Sequence, residues 1–288
     1  MPTALVTGCS TGIGYATAVA LACAGHEVFA GMRNPSGSPE LAQLAATEHL
    51  SITVVQLDVD SDESVRSAVQ QILAAKGSID VLVNNAGIGG GGPVEEVDIS
   101  EFRKVMETNF FGALRCIQAV LPSMRERKSG HILNVTSIAG RVALSPQAPY
   151  TASKFALEAL SEVLAQEVKA FGILVAVVEP GVIATPIFAK AAPRKYSNTY
   201  PQGRRLRAFF VASLQNPTLP SVVGEKIVAI VDSRDATLRH PAGPDAQGLL
   251  DWRKSITDEQ LIAWGGVESD EEWASAVKRD FGLDIQFD

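Results

Sequence analysis

The sequence predicts an α/β fold: a doubly wound parallel sheet of about seven strands with helices on both faces. Two observations carry the expectation. Seven short apolar runs recur between turn residues, and segments of helical period fill the gaps between them. Several runs are apolar on consecutive rather than alternate residues, as strands buried on both faces require. Strand alternating with helix then implies right-handed crossovers and a parallel sheet.

The runs are ALVTG (4–8), EVFAGM (27–32), ITVVQLDV (52–59), IDVLVNNAG (79–87), HILNVTS (131–137), ILVAVVEPG (173–181) and ATLRHPAG (236–243). Helical period fills 13–24, 39–48, 62–75, 100–127, 147–171 and 219–232. One domain is expected over 1–248. Residues 182–215 break the rhythm, with no clear period and many Pro, Lys, Arg, Tyr and Phe residues, which suits a lid over a substrate. Residues 249–288 carry all three tryptophans and two capping-box patterns, Thr257 with Gln260 and Ser269 with Glu272. A pair of short helices, docked on the same domain by Trp252, Trp264 and Trp273, is expected there.

Lysine plus arginine number 25 against 32 acids, a net charge of −7, which argues against nucleic acid or an anionic membrane as partner. Cys9, Cys23 and Cys116 are too scattered for a disulfide framework or a metal site, so no metal is expected. They fit small hydrophobes in a reducing compartment. MPTALVTG enters a strand at once, and the longest apolar run, Ile173–Val178, is too short to span a bilayer. The expected setting is the cytoplasm.

The first strand runs into TGCSTGIG (7–14) and then an alanine-rich helix. Glycines at 8, 12 and 14 let the backbone approach a pyrophosphate, whose charge a helix N-terminus favours. A glycine-rich turn alone is also an ordinary tight turn; its position after the first strand of a parallel sheet favours a nucleotide. At the end of the second strand stand Met32 and Arg33, where a ribose-binding acid would be expected. An arginine there can pair with the phosphate of NADP, so NADP is favoured and NAD remains possible. Asp58, followed by Val59 after the third strand, is positioned to accept from the adenine amine.

The helix at 147–171 holds an oddity. Leu157, Leu160, Leu164, Val168 and Phe171 form one apolar stripe, and the same face continues back onto Lys154 and Tyr150. Four apart, these two have Cβ atoms about 5–6 Å from each other. A phenol of pKa near 10 is ionised about once in a thousand at pH 7, and lowering that value by ~3 units needs ~4 kcal/mol. An ammonium about 4 Å away at an effective dielectric of 20 supplies ~4 kcal/mol. The pair is therefore sufficient to form a general acid/base. Ser137, closing the preceding strand, could bond the reacting oxygen.

TGCSTGIG, NNAG (84–87), Asn109, Ser137, YTASK (150–154) and PGVIAT (180–185) together resemble the short-chain dehydrogenase/reductase family over roughly residues 3–245. The resemblance implies a Rossmann fold and an NAD(P)-dependent alcohol–ketone oxidoreductase. It implies Tyr150 as acid/base, and Lys154 as the residue that holds the nicotinamide ribose and lowers the phenol's pKa. Ser137 would orient the substrate oxygen, and Asn109 would support a proton relay through water. Gly8, Ser10, Thr11, Gly12, Ile13, Gly14, Asn85, Ala86 and Gly87 would line the cofactor. Pro180, Gly181, Ile183 and Thr185 would fix its carboxamide. Relatives often pair through their two long helices, here 100–127 and 147–171, so a homo-oligomer is expected.

Between Glu179 and Glu225 there is no acid, while Lys190, Arg194, Lys195, Arg204, Arg205 and Arg207 fall in the interval. These cations could guide an anionic or acyl-type substrate. Phe188, Tyr196, Tyr200, Phe209 and Phe210 equally suggest an apolar pocket. TGCSTGIG…RNP and HPAGPDA (240–246) resemble, more weakly, the steroid- and retinol-active branch. The expected substrate is a hydrophobic carbonyl or alcohol, steroid- or retinoid-like. A methyltransferase, which would want an acid where Met32 and Arg33 stand, and a non-catalytic dinucleotide sensor are the rival readings.

Overall fold

The computed structural model describes residues 1–190, 197, 199–234 and 236–287. Its strands are β1 (Thr3–Thr7), β2 (Glu27–Met32), β3 (Ile52–Gln56), β4 (Val81–Asn84), β5 (Gly130–Val135), β6 (Ile173–Pro180) and β7 (Arg239–Ala242). They form one parallel sheet in the order β3-β2-β1-β4-β5-β6-β7. The chain thus starts at the centre, winds to one edge and returns to wind the other way. All seven expected strands are present, several of them shorter than their apolar runs. The discarded ends, such as Asn85–Gly87 after β4, become loops at the sheet's C-terminal edge, where such folds bind ligands.

The helices are α1 (Gly12–Cys23), α2 (Glu40–Thr47), α3 (Asp62–Lys76), α4 (Ile99–Met106), α5 (Gly112–Arg127), α6 (Ala148–Val168), α7 (Ile187–Lys190), α8 (Gln202–Ser213), α9 (Pro220–Ser233), α10 (Ala246–Ser255), α11 (Asp258–Gly265) and α12 (Asp270–Phe281). Strand side chains alternate between two apolar cores. Ala4, Val6, Val28, Ala30, Val81, Val83 and Leu133 meet α1 and α9 through Leu21, Val223 and Ile227. Leu5, Phe29, Leu82, Ile132 and Val175 meet α3, α5 and α6 through Ile72, Ile117 and Leu164. This two-sided burial is the reason the strand sequences are apolar throughout.

Two expectations are corrected and one is refined. The segment expected as one helix over 100–127 is helical throughout, with a π turn at Glu107–Phe111 joining α4 to α5. Residues 182–215 are not without period: α8 buries Arg205, Ala208, Phe209 and Ala212 on one face. An arginine at the head of that face hid the pattern. The tail folds as three helices, not a pair, because α10 starts at Ala246, before the tryptophans begin. Thr257 and Gln260 complete a capping box, whereas Ser269 accepts from the Glu272 amide with no return bond among the described residues.

Candidate active site

The turn between β1 and α1 needs its glycines. Gly8 (φ +73°) and Gly12 (φ +63°) lie in the left-handed region. A Cβ on Gly8 would come to 2.8 Å from Ala86 Cα, and one on Gly14 would overlap Gly8 O and Asn85 Nδ2. Ser10 and Thr11 lie at the mouth of the turn, Thr11 as the N-cap of α1, while Ile13 packs on the core beneath. The first turn of α1 carries no acid, which leaves its N-terminus favourable to an anion.

Three strand ends converge on this turn. Cys9 N donates to Gly31 O at 3.0 Å, tying it to β2, two residues before the exposed Arg33. Arg33 has no ion-pair partner among the described residues. Asp58 lies just past β3 and accepts from Asp60 N at 3.2 Å. Val59 is buried, and a Cβ on Gly112 would press on it. From β4, Asn85 Nδ2 donates to Thr7 O at 2.8 Å and to Gly8 O at 3.3 Å, and Thr7 Oγ1 accepts from the amides of Asn85 and Ala86. Asn85 therefore braces the glycine turn from below.

Ser137, Tyr150 and Lys154 are brought together. The Ser137 hydroxyl lies near enough to the Tyr150 phenol to favour its ionised form. It also accepts from Ala139 N at 3.1 Å and lies 3.5 Å from Pro180 O. Lys154 Nζ is buried, 5.6 Å from the Tyr150 ring centroid, and donates to Val135 O at 2.9 Å. A Cβ on Gly87 would lie 3.7 Å from that ammonium, so the loop after β4 passes beside it. Asn109, in the π turn, is also near. Its Oδ1 accepts from Ile88 N at 2.8 Å, and its Nδ2 donates to Ile88 O and Ser153 Oγ, each at 3.0 Å. The Asn109 side chain is thus spent on bracing the loop against α6.

The electrostatics correct one expectation. Burial raises the Tyr150 phenol above its ordinary value, with Ser137 pulling it back. The Lys154 ammonium stands 5.6 Å from the ring centroid and donates to the Val135 carbonyl. Burial pushes Lys154 itself down to about 8, opposed by Glu158 one turn further along α6. Glu158 is buried, accepts from Thr136 Oγ1 at 2.7 Å, and pairs with Arg239 Nε at 3.0 Å. Beside it Glu179 is pushed up to about 7, by burial and then by Glu158.

The segment after β6 closes the ring. Pro180 and Gly181 continue from the strand, Gly181 N donating to Ala242 O at 3.0 Å. Ile183 bridges to Thr218, and Thr185 Cγ2 stands 3.2 Å from where a Cβ on Gly12 would be. The segment 180–185 therefore folds back over the glycine turn.

Beyond the site lies a cavity of about 350 Å³ lined by Ala143–Ser145, by Leu206 and Phe209 of α8, and by Leu261, Ile262 and Trp264 of α11. The segment 143–145 leads directly into the helix that carries Tyr150. Two of the basic residues thought to guide a substrate serve the tail instead. Arg205 donates to Asp270 Oδ1 and to the carbonyls of Val267 and Glu268, and Arg204 donates to Asp270 Oδ2. Arg194, Lys195 and Tyr196 lie outside the described residues, as does the side chain of Lys190.

A family model described as short chain dehydrogenase matches residues 2–195. The chain belongs to the short-chain dehydrogenase/reductase family. It is 38% identical over 255 residues to retinol dehydrogenase 8 of Homo sapiens, covering 82% of this chain and 80% of that one. It is 36% identical over 268 residues to 3-ketodihydrosphingosine reductase of Bacteroides thetaiotaomicron, covering 90% and 94%. A crystal structure of a short-chain dehydrogenase from Streptomyces avermitilis superposes with a TM-score of 0.80 at 35% identity, covering 91% and 95%.

As a short-chain dehydrogenase/reductase, the chain is an oxidoreductase on a nucleotide-binding Rossmann fold. Sequence reasoning missed two members of this site, and each had a signal: Thr7 ends β1 at the glycine turn, and Glu158 continues the 150–154 face by four residues.

Proposed function

We propose that this short-chain dehydrogenase/reductase interconverts a secondary alcohol and a ketone, or a primary alcohol and an aldehyde, on a hydrophobic substrate with NADP(H) favoured over NAD(H). The observation that carries the reading is the grouping of Ser137 and Tyr150 with a buried Lys154, at the open end of a turn in which a Cβ on Gly8 or Gly14 would clash. That cradle fits a dinucleotide: Gly8–Gly14 and the α1 N-terminus for the pyrophosphate, Arg33 for a 2′-phosphate. Asp58 and Val59 suit the adenine, Asn85, Ala86 and Gly87 the space between, and Pro180, Gly181, Ile183 and Thr185 the carboxamide.

When bound in this cradle, a nicotinamide cofactor would supply the hydride chemistry. Ser137 and Tyr150 hold the substrate oxygen, and Tyr150 gives it a proton in reduction or withdraws one in oxidation. A phenol kept protonated by burial is well suited to donate. Lys154 holds the ribose and keeps a positive charge beside the phenolate that follows. Asn109 braces the loop beside that ammonium and supports the proton's route to water.

The apolar cavity next to 143–145 supports a lipid-like substrate, retinoid or steroid in character, as do the names of the two curated relatives. The commitment of Arg204 and Arg205 to Asp270 removes support from an anionic one. The reading takes 1–248 as the catalytic domain and 249–288 as an extension packed on it. It includes a homo-oligomer, supported by Phe111, Phe155 and Val163 exposed on the long helices, and a cytoplasmic setting, supported by three free cysteines. No helix among the described residues is long and apolar enough to cross a membrane.

Fluorescence titration with NADPH and NADH tests the cofactor. Arg33→Ala is expected to weaken NADPH by about tenfold, the order of one charge-assisted hydrogen bond, and to leave NADH unchanged. Tighter binding of NADH to the unaltered protein overturns the preference. Turnover of small sugars or acyl thioesters alone overturns the substrate class.

A further inference from the structure

One carboxylate at the edge of the site lies outside the machinery described so far. Asp245 stands at the N-cap of α10, where an aspartate ordinarily accepts from the amides of its own helix. It makes no such bond. Its Oδ2 instead accepts from the main-chain amide of Val182 at 2.7 Å. Its Oδ1 is buried with no hydrogen-bond partner among the described residues, a costly state for a carboxylate oxygen. The chain has also been cleared around it. A Cβ on Gly181 would overlap the carboxylate, and one on Gly243 would sit 3.1 Å from Oδ1. Gly243 itself has φ +107°, a conformation that favours glycine.

The segment that Asp245 grips is the one that carries Gly181, Ile183 and Thr185. Its two ends are held elsewhere: Gly181 N donates to Ala242 O at 3.0 Å, and Ala184 N donates to Thr218 O at 2.9 Å. Val182 lies between those anchors, and its amide is fixed by Asp245. We propose that Asp245 is a positioning residue that sets the 181–185 backbone for the nicotinamide half of the cofactor. The inference rests on the proposed reading of that segment as the carboxamide clamp. The adenosine half would lie on the glycine turn, Arg33 and Asp58, none of which Asp245 bonds. Its removal should therefore split the two halves of the ligand.

Calorimetric titration of the substrate-free protein with NADPH, and separately with adenosine 2′,5′-bisphosphate, reads that split. The bisphosphate keeps both phosphates of the adenosine end and lacks the nicotinamide. Asp245→Ala is expected to raise the Kd for NADPH about tenfold, the effect of losing one hydrogen bond to a charged group, and to leave the bisphosphate within twofold. Asp245→Asn, which keeps an oxygen for the Val182 amide, recovers most of the loss. Gly181→Ala drives a methyl group against the carboxylate and should produce the same split. Combining it with Asp245→Ala should then bind NADPH better than Gly181→Ala alone. Should Asp245→Ala fail to fold, the Asp245→Asn and Gly181→Ala pair carries the same comparison. Equal losses for both ligands, or no loss for either, overturn the positioning role. If the unaltered protein binds NADPH no better than the bisphosphate, the carboxamide reading itself fails, and this inference with it.

Discussion

Two buried cations teach different lessons. Arg205, 1% exposed, docks the tail; Lys154, 4% exposed, lies under the site. Each is a charge removed from water, which is costly unless it is paired. Arg205 is held on every nitrogen, since Nε, Nη1 and Nη2 each donate one of the five N–H groups to an oxygen within 2.9 Å. Lys154 has three N–H donors, and among the described residues only the Val135 carbonyl takes one. Around it stand the Tyr150 ring, its centroid 5.6 Å away, and the loop at Gly87. Burial alone therefore does not mark function. A buried cation held by a single oxygen beside an open turn does.

That contrast can be broken by experiment. Tyr150→Phe and Lys154→Met should each lower kcat/KM by about two to four orders of magnitude. Lys154→Met should leave the melting temperature unchanged or raised, because hydrocarbon replaces a costly buried charge. A large loss of stability there would make Lys154 the structural cation. Arg205→Met should do the reverse. It leaves Asp270 with Arg204 alone and two carbonyls unpaired, costing about 2–4 kcal/mol in denaturant unfolding while kcat stays within a few-fold. If turnover collapsed with the fold intact, the assignment of Arg205 to the tail would be wrong.

A smaller effect lies in titration. Lys154 should lose its proton near pH 8 in the cofactor-free protein, as read by NMR of its side chain. Glu158→Gln should move that midpoint to lower pH by about one unit, since a charge one turn away no longer favours the ammonium. A midpoint that stays put would remove Glu158 from the site. Because the folded value lies below the ordinary 10.5, the unfolded chain binds more protons between pH 8 and 10.5, so Lys154 contributes a rise in stability with pH there. The smallest effect is expected in the tail. Trp264→Phe loses the bond from Nε1 to Asp280 Oδ2 at 2.9 Å, worth about 1 kcal/mol of unfolding free energy.

The sheet was legible because its strands are buried on both faces, so nearly every residue reports burial. The helix carrying Tyr150 and Lys154 was legible for the opposite reason, as a phenol and an ammonium interrupt its apolar stripe. Residues 202–213 were not legible, because Arg205 occupies a buried position that a hydrophobic pattern marks as exposed. Its partner Asp270 belongs to a helix 65 positions later. The π turn at Asn109 was equally hidden, since nothing in ETNFF departs from an ordinary helical composition.

The sequence by itself determined the alternation of strands and helices, the family, and the residues available to hold a dinucleotide, because each rests on local spacing along the chain. Only the tertiary structure decided the charges. It lowered Lys154 through burial and raised Tyr150, turned two lid arginines toward the tail, and set the Asp245 carboxylate against Val182. Desolvation and pairing depend on what lies across the fold, and distance in space is not written in the order of residues.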